Sequence, residues 1–473
     1  MKVLFATSEA YPFAMSGGLA DVSGALPKAL RRRLIGCRII MPLYSSIPEE
    51  LKQKMNFICS ITVPVSWRRQ YCGIFEAHLD GVIYYFIDNQ YYFKREGLYG
   101  HYDDAERFAF FSRAVLEIIP HIGFTPDIIH CNDWQTALIP VYMSAFYKQS
   151  ELYSNIKTVF TIHNIQYQGK YGYELTEDVI GLPKDKESLI DYDGCINFIK
   201  GAIQCSDKVT TVSPTYAHEI LDPYFSHGLD GILKEFTYKL TGIVNGIDTD
   251  VYNPETDNLI YKNYSVNDIS GKAVNKAKLQ KDMSLPENKN VPIIGIVSRL
   301  VKHKGFDLVK CVFEELLKAD LQFVILGSGE WEFETFFHEM ASKYPDKVAL
   351  RLGFNPELAH KIYAGADIFL MPSQSEPCGL AQMVALRYGT VPIVRQTGGL
   401  NDTITDSGDN NGNGFTFGSY NAHEMQNAVW RSPAGYGDKK GWDTLRKRCM
   451  ECDNSWSGSA NAYIRLYKEI LGK

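Results

Sequence analysis

No window of this 473-residue chain reaches the ~18 apolar residues that a membrane-crossing helix needs, so no membrane partner is expected. The opening run Lys2-Val3-Leu4-Phe5-Ala6 is too short for the apolar core of a secretory signal with its cleavage site, and it reads as a first strand. Dense positive charge is scarce as well. The triplet Arg31-Arg32-Arg33 ends a predicted helix where cations suit the dipole, and the formal net charge is −6. That balance does not draw the chain to nucleic acid. The ten cysteines are scattered and read as reduced thiols, with neither a disulfide frame nor a zinc site expected. Low-complexity tracts and short-period repeats are missing too. These absences point to a cytoplasmic, enzyme-sized protein.

What is present is an ordinary globular mixture, 45% apolar and 22% charged, in a chain too long for one core. Strand-like runs at Val3–Ser8, Arg38–Pro42, Asp127–Cys131, Thr158–His163, Lys208–Val212 and Gly242–Val244 alternate with helical patterns at Ala20–Arg33, Ala105–Ile119, Gln135–Tyr147 and Pro214–Leu221. Between Cys59 and Asp88 three alternating runs read as an antiparallel insertion with Asp80-Gly81 as a hairpin turn. The alternation resumes with strands at Pro292–Ser298, Gln322–Leu326, Val348–Leu352, Ile368–Pro372 and Val391–Val394. Its helices are Phe306–Lys318, Trp331–Lys343, Pro356–Ala364, Gly379–Tyr388 and Asn421–Trp430. Such alternation means parallel sheets covered on both faces, so the expected class is α/β, with two doubly wound domains meeting near Asn245 to Asn253. Ligands bind such sheets at the carboxyl ends of their strands, and two facing sheets make a cleft.

Several clusters follow predicted strands directly. Ser16-Gly17-Gly18-Leu19-Ala20-Asp21 places paired glycines before a helix, where backbone N–H groups can approach an anion; taken alone it serves equally as a tight turn, and it departs from the dinucleotide fingerprint. Thr397-Gly398-Gly399-Leu400 repeats the pattern in the second half, as a pair of phosphate-cradling turns would. Arg299 and Lys304 sit in one loop, where a guanidinium and an ammonium neutralise a diphosphate. Glu376, before Pro377 and Cys378-Gly379-Leu380, can accept from sugar hydroxyls or cap a helix, and Cys378 reads as a small packing residue. His163 with Asn164, and Asp133 with Trp134, follow two further strands and suit polar ligands or a buried structural role. Tyr91, Tyr92, Phe93, Tyr99, Tyr102, Tyr167, Tyr171 and Tyr173 fit stacking on sugars, with core packing the default for each.

These blocks, in this order, resemble the bacterial glycogen synthase and plant starch synthase family nearly end to end. The resemblance also rests on Ser8-Glu9 with Pro12-Phe13, Glu106-Arg107-Phe108-Ala109-Phe110-Phe111-Ser112-Arg113, Tyr167-Gln168-Gly169, Thr211-Val212-Ser213-Pro214-Thr215-Tyr216-Ala217 and Val244-Asn245-Gly246-Ile247-Asp248. It implies a GT-B fold of two facing Rossmann-like domains, here 1–248 on the acceptor side and 249–454 for the nucleotide sugar, with 455–473 returning as a helix to the first. It implies transfer of glucose from ADP-glucose to the non-reducing 4-hydroxyl of an α-1,4-glucan, with retention and with no metal or other cofactor. Arg299 and Lys304 would hold the diphosphate, Glu376 the glucose hydroxyls, with His163 beside the glucose and Asp21 near the donor. Gly18 and Thr397-Gly398-Gly399 would meet the phosphates, and Ser16, Gly17, Asp133, Asn164, Asn245, Cys378, Gly379 and Leu380 would complete the substrate contacts. Three positions depart from the family pattern: Met15 replaces a usual Lys, Phe354 a common phenol, and Ser375 a frequent Phe. No second carboxylate stands out as a nucleophile, so front-face transfer is expected, the departing phosphate taking the acceptor's proton. The rivals are transfer from UDP-glucose, a catalytically weak glucan-binding or regulatory protein, and a nucleotide-sugar epimerase of the same fold.

Overall fold

The computed structural model describes residues 1–409 and 411–473. It divides into two compact units, Met1–Gly246 with Trp456–Lys473, and Ile247–Ser455.

The main sheet of the first unit has nine strands: β1 (Lys2–Ala6), β2 (Gly36–Pro42), β3 (Asn56–Val65), β4 (Arg68–Leu79), β5 (Val82–Asp88), β6 (Ile128–Asn132), β7 (Lys157–Ile162), β8 (Lys208–Thr211) and β9 (Leu240–Gly242). They lie in the order β9-β8-β7-β6-β1-β2-β5-β4-β3. From β9 to β5 every neighbouring pair is parallel. The central strands are buried on both faces, which is why Val3, Leu4, Phe5 and Ala6 of β1 run apolar without alternation. The Cys59–Asp88 stretch differs from a separate insertion. Strands β3 and β4 pair antiparallel at the edge, while β5 is antiparallel to β4 but parallel to β2, and so belongs to the main sheet. Asp80 and Gly81 do form its turn, with φ of 50° and 77°, the two left-handed residues that a type I′ hairpin requires.

Helix α1 (Gly18–Arg32) follows β1, and α2 (Asp104–Glu117) precedes β6. The single helix expected over Gln135–Tyr147 is instead a 3-10 turn Trp134–Thr136, an α segment Leu138–Tyr142 and a π turn Met143–Tyr147. Pro140 within it has no N–H to bond one turn back, and the ladder is reset around it. The C-terminal helix Trp456–Ile470 packs in this first unit. Arg33 donates to Asn461 Oδ1 at 2.8 Å and Ser457 Oγ at 2.7 Å, so part of the basic triplet is structural. The Tyr467 hydroxyl lies 2.6 Å from Nδ1 of His130 on β6, both side chains fully buried.

The second unit has six parallel strands, β10 (Ile293–Val297), β11 (Gln322–Gly327), β12 (Val348–Leu352), β13 (Ile368–Met371), β14 (Val391–Arg395) and β15 (Phe415–Phe417), in the order β12-β11-β10-β13-β14-β15. Its helices include α3 (Phe306–Leu316), α4 (Trp331–Lys343), α5 (Pro356–Gly365), α6 (Ala381–Arg387), α7 (Gly398–Thr403), α8 (Ala422–Tyr436) and α9 (Lys439–Glu451). Strand β15 and helix α9 have no counterpart among the expected elements. The scattered reading of the cysteines also passed over Cys449-Met450-Glu451-Cys452, a C-x-x-C spacing at the end of α9. Both are free thiols held by one residue: Cys449 Sγ donates to the Asn413 carbonyl at 3.2 Å, and Asn413 Nδ2 donates to Cys452 Sγ at 3.3 Å. Burial pushes the Cys449 thiol far up, as expected for a packed sulfur at the negative end of a helix.

In each unit the strand order reverses around its first strand. The switch lies between β1 and β6 in the first unit, and between β10 and β13 in the second. Loops leaving those four strands are where a doubly wound sheet binds its ligand.

Candidate active site

In the second unit the loop after β10 carries Arg299 and Lys304, and the loop after β13 carries Glu376. The ammonium of Lys304 lies 2.7 Å from Glu376 Oε2 and 3.0 Å from Oε1. The hydroxyl of Ser373 donates to Oε2 at 3.0 Å. Glu376 is therefore an ion-paired, buried carboxylate, 7% exposed, and caps no helix. A carboxylate has about four lone-pair positions, and three are used, so Oε1 keeps room for one more donor. Arg299 is exposed and forms no ion pair with a described residue. His303, beside Lys304, is held below the usual imidazole range by burial first and by the Lys304 and Arg299 charges next, which keeps it neutral near pH 7.

Glycines bring this loop pair together. Gly305 has φ 81°, and a Cβ there would stand 2.1 Å from the Pro372 carbonyl oxygen, so only glycine lets the Lys304 turn press against the end of β13. Gly398 has φ 44°, and its Cβ would stand 1.9 Å from the Glu376 carbonyl oxygen. The N–H of Gly399 donates to that same oxygen at 3.1 Å. The second glycine pair thus serves as a seat for the Glu376 backbone, a role that its resemblance to the first pair did not suggest. Thr397 is fully buried just before it. Cys378 is buried, Gly379 takes φ 72°, and Leu380 leads into α6. Arg395 reinforces the loop by donating to the Ser373 carbonyl at 3.0 Å. Sequence reasoning passed over Arg395 and gave Ser373 no role in the site, although Ser373 stands three residues before Glu376 at a strand end.

In the first unit the loops after β1, β6 and β7 form a second group. Asp133 has φ 58°, a left-handed conformation uncommon outside glycine and Asn or Asp. Its Oδ1 accepts from the backbone N–H of His163 at 2.7 Å and of Asn164 at 3.4 Å. Asp133 therefore fixes the backbone of the His-Asn pair. Burial pushes its carboxyl up to about 7 against those two bonds, with the Glu9 charge adding to the rise. His163 is likewise held down at about 3 by burial and is neutral. Its tautomer follows from Asn132. The Asn132 amide nitrogen donates to the carbonyls of Ala6 at 3.0 Å and His130 at 3.3 Å, so Oδ1 faces His163 and accepts from Nε2 at 3.0 Å. His163 Nδ1 is left with its lone pair, an acceptor for a hydroxyl. Asn132 was absent from the expected site.

The Ser16-Gly17-Gly18 turn is exposed, and α1 begins there with Gly17 as an N-cap that makes no side-chain bond. A Cβ on Gly17 would meet nothing within 4 Å, in contrast to Gly398. Asp21 lies in the first turn of α1, half-buried. Met15 is 43% exposed. Asn245 is buried and its Oδ1 makes no hydrogen bond with a described residue, which leaves an acceptor available. Phe354 is exposed. Of the aromatic set, Tyr92 and Phe93 are core residues, Tyr99 and Tyr171 are half-buried, and Tyr91, Tyr102, Tyr167 and Tyr173 are exposed.

Known proteins match both units. Residues 2–235 match the family described as the starch synthase catalytic domain, and residues 278–431 match glycosyl transferases group 1. A glycogen synthase of Geobacillus thermodenitrificans (strain NG80-2) is 51% identical over all of this chain and 98% of its own. One from Bacillus cereus (strain ATCC 10987 / NRS 248) is 51% identical over the full length of both. The chain belongs to the glycogen synthase family. Among solved structures, the catalytic domain of starch synthase IV from Arabidopsis thaliana, bound to ADP and acarbose, superposes with a TM-score of 0.92 at 35% identity, covering 100% of this chain and 99% of that one. Sucrose-phosphate synthase from Thermosynechococcus elongatus shares the fold alone, with a TM-score of 0.61 at 17% identity over 100% and 99%. The family assigns the GT-B fold, with each unit a Rossmann-like domain, and makes the protein a retaining glycosyltransferase. Among the described residues no helix is long and apolar enough to cross a membrane.

Proposed function

We propose that the protein extends an α-1,4-glucan with glucose from ADP-glucose, retaining configuration at the anomeric carbon. The observation that carries this reading is the buried Lys304–Glu376 pair at the switch point of the second unit. A diphosphate offers Lys304 a stronger anionic partner than a carboxylate already shared with Ser373. As the ammonium turns to the phosphates, Glu376 is released toward sugar hydroxyls, for which Oε1 already has capacity. Arg299, exposed and without an ion pair among the described residues, joins Lys304 on the diphosphate. Residues 249–454 are thus assigned to the nucleotide sugar, and the exposed Gly17-Gly18 backbone to its phosphates. Residues 1–248 are assigned to the acceptor side, with His163 Nδ1, Asn164 and Asn245 accepting from or donating to sugar hydroxyls, and 455–473 completing that domain.

In the reaction the bond from the anomeric carbon to the phosphate oxygen breaks, and a bond forms from that carbon to the acceptor 4-oxygen on the same face. The departing diphosphate takes the hydroxyl's proton, so the protein's task is to stabilise the charge that develops on the leaving group and to orient the acceptor. The scatter of the ten cysteines along the sequence suits a reducing compartment, and we assign the protein to the cytoplasm. The deciding test offers labelled ADP-glucose and UDP-glucose separately with glycogen and counts label in precipitated glucan. Incorporation from ADP-glucose is expected; transfer from UDP-glucose alone would overturn the donor, and transfer from neither would overturn the function.

A further inference from the structure

Glu9 follows β1 and has had no task so far beyond its charge. It is 2% exposed, yet one of its oxygens serves an exposed turn. Glu9 Oε2 accepts from the backbone N–H of Ser16 at 2.7 Å and from the Ser16 hydroxyl at 2.6 Å. The Tyr99 hydroxyl faces the carboxyl and lies 2.7 Å from Ser8 Oγ. Behind the side chain, Thr7 Oγ1 donates to the Glu9 carbonyl at 2.8 Å and lies 2.9 Å from Ser23 Oγ of α1. The intervening loop is closed by bonds from the N–H groups of Phe13 and Ala14 to the Ala10 carbonyl, at 2.9 and 3.1 Å. Ser16 and Gly17 themselves lie exposed, and the first turn of α1 has no side-chain cap. A single buried carboxylate therefore grips the start of this turn from beneath, through both donors of one serine.

We propose that Glu9 is a positioning residue for the sugar donor: its ionised carboxylate fixes Ser16, and through Ser16 the Gly17-Gly18 backbone that meets the diphosphate. The proposal rests on the nucleotide-sugar reading of that turn. The grip depends on charge, because a carboxylate accepts two strong bonds at one oxygen and a neutral acid accepts them more weakly. The titratable groups that face Glu9 are Asp21 on α1, Asp133 after β6, Tyr99 before α2 and Tyr44 after β2. None of these is a cation. Burial, chiefly, then the Asp21 charge, outweigh the Ser16 bonds and push the Glu9 carboxyl up to about 7. The grip is accordingly complete above neutral pH and is lost as the pH falls through about 7.

The test uses the full chain, wild type and Glu9→Gln, with initial rates from about pH 5.5 to 8.5. The donor is varied at saturating glycogen, then glycogen at saturating donor. In the wild type the donor KM should rise roughly fivefold as the pH falls across neutrality, the worth of about one hydrogen bond, while the glycogen KM stays level. In Glu9→Gln the donor KM should be raised and level across the range. A level donor KM in the wild type, or an unchanged slope in Glu9→Gln, overturns the proposal, as does an equal change in both KM values, which marks a merely structural role. Hydrogen exchange at the Ser16 amide separates this from the function itself. Protection lost below pH 7 in the wild type but not in Glu9→Gln supports the grip even where no donor reacts, and equal protection in both proteins at every pH overturns it.

Discussion

Replacing Lys304 by Met tests the buried pair most directly. The substitution keeps the length of the side chain and removes the charge that faces Glu376 at 2.7 and 3.0 Å. At such a separation two unit charges in an effective dielectric of about 20 attract by ~6 kcal/mol, before any desolvation cost is subtracted. The Lys304 side chain is 19% exposed and that of Glu376 9%, so water screens part of this and desolvation opposes more. Removing one partner of a buried pair generally costs about 3–5 kcal/mol, and with this exposure about 2–3 kcal/mol is expected for Lys304→Met at pH 8. Ser373 alone then faces the carboxylate. Most of the loss is the penalty of an uncompensated charge, so Lys304→Met/Glu376→Gln should recover about half of it. Urea unfolding of the wild type, both single variants and the double variant gives the coupling, expected near 2 kcal/mol. Additivity within about 0.5 kcal/mol would refute the pairing. Activity separates the roles: both single variants and the double should each lose at least ~100-fold in kcat, because stability regained in the double restores no contact to the leaving group.

The two glycine turns should respond oppositely to one methyl group. Gly398→Ala, forced to φ 44° and into the Glu376 carbonyl, should lower stability by about 2 kcal/mol or more and cut kcat; Gly17→Ala, with φ −168° and open space, should leave the melting temperature unchanged while raising the donor KM. Asn132→Leu should cost about 10-fold or more in kcat by releasing the Nε2–H tautomer of His163, visible as a shifted ring-nitrogen NMR signal. Asp133 stands near 7 instead of the usual 3.8, so the folded state holds a proton that the unfolded chain has released, and stability falls as pH rises between those values. Asp133→Asn keeps the acceptor oxygen and should be more stable than the wild type by about 1–3 kcal/mol at pH 8, with no gain at pH 4. Met15→Lys should lower the KM for ADP-glucose by up to about 10-fold; unchanged kinetics with both donors would show that position 15 does not reach the phosphates.

The strands and the class of fold were legible because parallel, doubly covered strands leave an unbroken apolar mark, as in Val3–Ala6 and Ile293–Val297. The edge of the first sheet was harder. Nothing in the alternation of Val82–Asp88 tells whether its second neighbour is parallel, since that pairing is made with β2, more than forty residues away. Short β15 and polar α9 carried too little periodicity to stand out. In the site, charged residues after strands were readable one by one, but their partnership was not. That Lys304 meets Glu376 depends on β10 and β13 being neighbours and on Gly305 lying against Pro372. Glu9 was visible as part of a motif yet unremarkable in type, and only its enclosure gives it a task. Asn132, part of the same motif as Asp133, was given no task for the same reason, its amide being oriented by two carbonyls that no local pattern announces.

The helix Trp456–Ile470 also gives the chain an order of assembly. The first sheet and its loops leave the ribosome early, but the tyrosine that meets His130 under β6 is residue 467 and emerges only after the whole of Ile247–Ser455 has been made. At about 5–20 residues per second those two hundred or so residues take roughly 10–40 s. For that interval the first unit lacks the helix that packs on α1 and meets His130 of β6, while the second unit is continuous in sequence. The domain begun first is therefore finished last, and a chain cut just after Ser455 leaves a complete second unit attached to a first unit that lacks its last helix.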